Sequence, residues 1–138
     1  MVDRDKLRAK IAFIETNLRR LKRIAALPVE EFTEESNAFH AAIRLLQVSI
    51  EAMLDIGNHI IAQERLGIPK TYGEVFELLG KGGVIPSDFV ATGRQMARFR
   101  NRAVHLYADI SEGEVYNILQ NHLGDFQRFI SFIVRKYF

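Results

Sequence analysis

The chain has no cysteine in its 138 residues. Disulfides and thiolate metal sites are therefore excluded, which fits a reducing compartment. No apolar run is long enough to cross a bilayer. The segment Met1-Val2-Asp3-Arg4-Asp5-Lys6 is charged and lacks the apolar stretch of a signal peptide. These absences predict a cytoplasmic protein with no membrane partner. A strong charge of one sign is also missing, since 19 Lys and Arg against 17 Asp and Glu leave a net +2. A global basic field that would coat nucleic acid is thereby excluded. Strand alternation, hairpin signals, internal repeats and low-complexity tracts do not occur. Gly80, Gly82 and Gly83 mark a turn, because a phosphate loop would need a preceding strand and a following Lys-Ser/Thr. No metal-ligand spacing such as His-Glu-x-x-His is found, so no metal and no cofactor are expected.

What is present is helical. A hydrophobic content of 48% with 26% charged residues suits one globular domain over residues 1–138. Leu7, Ile11, Ile14, Leu18, Leu21 and Ala25 recur every three or four positions, which predicts an amphipathic first helix capped by Asp3 and closed before Pro28. A second helix is predicted from about 30–34 to about Arg65 and is apolar nearly all round, so it must be covered on several sides, with a second subunit one source of that cover. Its thin polar line is Glu51, Asp55 and Asn58. Thr71 and Glu74 have capping-box spacing before a short third helix. Pro86 and Ser87 open a fourth helix that should fray near Tyr107–Ile110. Ser111 and Glu114 form a second capping box before one last helix carrying Val115, Leu119, Phe126, Phe129, Ile133 and Tyr137. The expectation is an all-α bundle of four or five helices.

The polar residues that carry chemistry concentrate in Arg98-Phe99-Arg100-Asn101-Arg102-Ala103-Val104-His105-Leu106-Tyr107. Arginine is always charged and matches phosphate geometry. Histidine exchanges protons near neutral pH. Their combination suggests binding or chemistry at a phosphodiester. Helical spacing groups Arg98, Asn101 and Arg102 with His105, and leaves Arg100 about 140° away round the axis. Joining Arg100 to His105 then requires a helix end, a distortion or a second chain. Surface pairing of the arginines, a helix-end role for His105 and a boundary role for Tyr107 are the plainer alternatives. His40, His59 and His122 read as ordinary structural histidines. The basic run Arg19-Arg20-Leu21-Lys22-Arg23 reads as a solvated helix face.

Arg100-Asn101-Arg102-Ala103-Val104-His105-Leu106-Tyr107 resembles the Arg-x4-His-x-Tyr signature of HEPN-domain toxins of the HepT-like branch. The resemblance extends to Leu54–Ala62, to Lys70-Thr71-Tyr72 with Phe76–Leu79, and to Gly83–Pro86, spanning about residues 5 to 135. Ala103 and Gly93 are smaller than the residues often found there. The resemblance implies a HEPN-like helical bundle that forms a homodimer, with the signature facing a cleft between subunits. It implies a metal-independent endoribonuclease toxin acting on RNA, paired with a nucleotidyltransferase-fold antitoxin that can place AMP on Tyr107. Arg100, His105 and Tyr107 are then catalytic, with Asn101 beside them, and Asp55, Arg98 and Arg102 in support. The alternative is a non-catalytic helical partner that binds a nucleotidyltransferase or a nucleotide.

Overall fold

A computed structural model describes residues 1–138. It contains six α-helices: α1 (Arg4–Ala25), α2 (Asn37–Glu64), α3 (Tyr72–Lys81), α4 (Val90–His105), α5 (Glu112–Asn121) and α6 (Gly124–Tyr137). No helix is long and apolar enough to cross a membrane.

The first helix forms as its spacing requires. The Asp3 carboxylate accepts the Lys6 N–H and caps it. Leu7, Ile11, Ile14, Leu18 and Leu21 are buried. The same face carries a polar pair that hydropathy did not reveal. Asn17 Nδ2 donates to the Ser49 hydroxyl of α2 at 3.1 Å, and both residues are buried. This pair and the bond from the Asp3 N–H to His59 Nε2 at 2.9 Å fix α1 antiparallel to α2. Arg19, Arg20, Lys22 and Arg23 stay on the solvent side.

The apolar girth of α2 is explained within one chain, because α1, α3, α4 and α5 all pack against it. The helix begins later than its pattern suggested, at Asn37, where the Ser36 hydroxyl caps the Phe39 N–H. Before it, Phe32 turns inward against Phe39 and Tyr116. The helix ends at Glu64 on Arg65, which takes a left-handed conformation with φ 53°.

Two close approaches lock α3 into the bundle. A Cβ on Gly57 of α2 would lie 2.6 Å from Val75, and one on Gly93 of α4 would lie 2.4 Å from the Phe76 ring. Gly93 is thus small because Phe76 fills the space a side chain would need. Phe76, Phe89, Phe126 and Phe129 are fully buried. Truncating such a ring to alanine typically costs about 3–5 kcal/mol.

The expected single last helix is two. The Ser111 cap forms as anticipated, its hydroxyl accepting the Glu114 N–H. However, α5 stops at Asn121, and α6 starts at Gly124. Glycine is a weak helix former, and the break turns Leu123 into the core while apolar periodicity is kept on both sides. Six helices therefore replace the four or five read from the pattern.

Candidate active site

The signature runs through α4 and off its end. The helix continues without distortion from Arg100 to His105, and Leu106 closes it by donating its N–H to Arg102 O at 2.8 Å. A short 3-10 turn, Tyr107–Asp109, follows.

Arg100 is held from three directions. Its Nε donates to Glu51 Oε2 on α2 at 3.0 Å, and its Nη1 donates to Asn101 Oδ1 at 3.2 Å. Its guanidinium carbon lies 4.7 Å from the centre of the Tyr72 ring. Glu51 is steadied in turn by Gln47 Nε2 at 3.1 Å. A guanidinium has five N–H donors. Two are engaged here, which leaves three for an anion.

Asn101 and His105 share a groove of about 560 Å³ with Asn58, Lys70, Thr71 and Tyr72. Tyr72 is the link that helical spacing could not supply. Its ring lines this groove and also carries the Arg100 guanidinium. Arg100 itself does not line the groove; it touches two residues that do, Tyr72 through its ring and Asn101 through a hydrogen bond. The Thr71 cap holds Tyr72 at the first position of α3. Thr71 Oγ1 accepts the Glu74 N–H at 3.2 Å, while the Glu74 carboxylate reaches back to the Lys70 N–H at 3.3 Å.

Arg98 and Arg102 lie on a different side of α4 from this groove. Both face a second groove floored by Leu46, Ile50, Phe99 and Phe126. Arg102 is bound to both carboxylate oxygens of Glu114, with Nη2 to Oε1 at 2.9 Å, and Nη2 also donates to Asp109 O at 3.2 Å. The Glu114 hydrogen bond, with the nearby carboxylate charges, raises the Arg102 pKa further above the working range. Arg102 thus ties α4 to α5 and pins the turn that carries Tyr107. Asp55 sits apart as well, since its carboxylate pairs with Lys10 Nζ on α1 at 2.9 Å. Of the three residues of the polar line on α2, Glu51 serves Arg100, Asp55 serves α1 and Asn58 lines the groove.

Tyr107 leans away from the His105 groove onto the first turns of α2. Its hydroxyl is hydrogen-bonded to His40 Nδ1, and the two rings stack with centres 5.7 Å apart and planes 8° from parallel. Burial raises the Tyr107 pKa, so the phenol keeps its proton at neutral pH. His40 and Asn58 are about 27 Å apart along α2, so Tyr107 and the His105 groove abut different parts of that helix. Sequence reasoning missed Tyr72, Glu51 as the partner of Arg100, and His40. Glu51 had a signal, a carboxylate on a helix otherwise apolar nearly all round. The pairing of His40 with Tyr107, 67 residues apart, left no trace in local spacing. His59 is structural, as read. No three His, Asp or Glu side chains converge as a metal-binding group.

This backbone is one that HEPN toxins share. The tri-AMPylated Shewanella oneidensis HEPN toxin, solved in complex with its MNT antitoxin, matches 95% of this chain and 98% of its own with a TM-score of 0.87 at 32% identity. The chain belongs to the ribonuclease HepT-like family, whose model matches residues 14–133. The mRNA nuclease HepT of Shewanella oneidensis is 33% identical over 124 residues, covering 90% of this chain and 92% of the relative. The tRNA nuclease HepT of Aphanizomenon flos-aquae is 24% identical over 124 residues, covering 90% and 84%.

Proposed function

We propose that this protein is the toxin of a toxin–antitoxin pair, a metal-independent endoribonuclease that acts as a homodimer in the cytoplasm. The reading is supported by a groove lined by Asn101, His105 and Tyr72, with Arg100 held against two of these, Asn101 and Tyr72, on a chain of the HepT-like family. RNA contains its own nucleophile. When His105 takes the proton of a 2′-hydroxyl, that oxygen attacks the adjacent phosphorus. The 5′-oxygen leaves and takes up a proton, giving a 2′,3′-cyclic phosphate and a 5′-hydroxyl end. Acid–base assistance of this kind contributes about 10²–10⁴-fold. The free N–H groups of Arg100 stabilise charge on the non-bridging oxygens, with Glu51 fixing the guanidinium plane. Lys70 adds a positive charge on the groove rim.

In this reading a second copy packs beside His105. Val104 and Leu106 flank that residue and are 41% and 55% exposed, apolar surface that a second protomer would cover. Covering them with another protomer brings two signatures to one cleft and excludes water from it. The partner that controls the toxin is a nucleotidyltransferase-fold antitoxin. AMP on Tyr107 adds a bulky anion two residues from His105 and repels RNA.

Expression of the wild-type chain without its partner should arrest growth and deplete RNA, and His105→Ala, equally folded, should do neither. Equal activity of the two removes His105 from the mechanism. Harmless wild-type expression without RNA loss favours the non-catalytic partner instead.

A further inference from the structure

Resting on the toxin–antitoxin reading above, we propose that His40 is the general base that makes the Tyr107 hydroxyl a nucleophile toward a nucleoside triphosphate. The Tyr107 hydroxyl is hydrogen-bonded to His40, and the imidazole of His105, two residues before it, makes no hydrogen bond to that hydroxyl. His40 is. Its Nδ1 is hydrogen-bonded to the phenol oxygen, and the near-parallel rings hold that contact in one geometry. His40 is itself braced by the edge of Phe39, with ring centres 5.1 Å apart, and the Ser36 cap fixes this end of α2. With the neutral ring protonated on Nε2, the phenol donates its hydrogen to Nδ1.

The phenol needs such help. The partial burial of its ring favours the protonated form, so few molecules carry a phenolate at neutral pH. Both side chains are exposed at the surface, where a docked nucleotidyltransferase can present its triphosphate. In the step itself a bond forms between the Tyr107 oxygen and the α-phosphorus. The bond from that phosphorus to the bridging oxygen breaks, and pyrophosphate leaves with the electron pair. The phenolic proton passes to His40 Nδ1, and the ring releases its Nε2 proton to solvent.

The test uses the full chain, the nucleotidyltransferase-fold antitoxin that the toxin–antitoxin reading expects in a neighbouring reading frame, magnesium and labelled ATP. Label is located on the Tyr107 peptide by mass spectrometry. His40→Phe keeps a stacked ring without the nitrogen, and His40→Gln keeps a hydrogen-bonding side chain without the basicity. In both, kcat for transfer should fall by about 10²-fold with the KM for ATP unchanged. Wild-type rates in both variants overturn the proposal. Full activity in His40→Gln alone also overturns it, because His40 then only positions the hydroxyl. A loss expressed wholly as a raised KM does the same. If the wild-type chain takes up no AMP, the antitoxin reading fails along with this one, a result visible in the wild-type reaction without either variant.

Discussion

Replacing Arg100 by lysine separates charge from geometry at the proposed site. The wild-type guanidinium donates to Glu51 at 3.0 Å and Asn101 at 3.2 Å, and lies 4.7 Å over Tyr72. It still has three N–H groups for a phosphate. A lysine ammonium has three N–H donors in all, on a single atom. If it keeps Glu51 it cannot also span Asn101, and it presents a point charge where a planar fork stood. Losing one well-aimed donor to a developing oxyanion costs about 2.7–4 kcal/mol, or about 10²–10³ in rate. Single-turnover cleavage of a labelled RNA should therefore slow by at least about 10² in Arg100→Lys. RNA affinity should change little, because the charge and most of the counterion release are retained. The assay is cleavage at saturating enzyme, with binding measured separately. Cleavage within a few-fold of wild type would refute the reasoning, since charge alone would then suffice.

Other residues separate structure from catalysis. Arg102→Ala removes the two-point tie to Glu114 and the bond to Asp109 O. It should lower stability by about 1.5–3 kcal/mol in urea titration, while slowing cleavage per folded molecule far less than Arg100→Lys. Gly93→Ala forces a methyl group against the Phe76 ring and should cost about 1–3 kcal/mol, with partial recovery when Phe76 is also shortened to leucine. Tyr137 is pushed up to about 12 by burial, then by the charge of Glu64 and the hydrogen bond to it. The folded chain therefore holds a proton that the unfolded chain gives up near pH 10, so stability present below pH 10 is lost as pH rises toward 12. Comparing urea midpoints at about pH 9 and about pH 11 should show this fall in wild type and a smaller one in Tyr137→Phe.

The helices were legible because apolar spacing is a local property. The stripes on α1 and α2 point inward as read, and Asp3, Thr71 and Ser111 cap as their spacing predicts. The break before Gly124 was not legible, because apolar periodicity continues across it. Within the signature, spacing along one helix misplaced Arg98 and Arg102. Rotation about the α4 axis sets them beside His105, but Glu114 on α5 draws Arg102 to the other side. Spacing also isolated Arg100, because Tyr72, the groove residue under its guanidinium, comes from α3. The stacking of Tyr107 on His40 is tertiary in the same way. One helix shows which polar groups are available; the neighbouring helices decide which of them meet.

In the proposed mechanism Arg100 and His105 cut RNA through its own 2′-hydroxyl. The most direct measurement is the end chemistry left when purified protein meets total RNA in excess chelator. New 5′-hydroxyl ends and 2′,3′-cyclic phosphates are expected with the wild-type chain and none with His105→Ala. Fragments bearing 5′-phosphates, or cleavage that stops when the chelator is added, would contradict it.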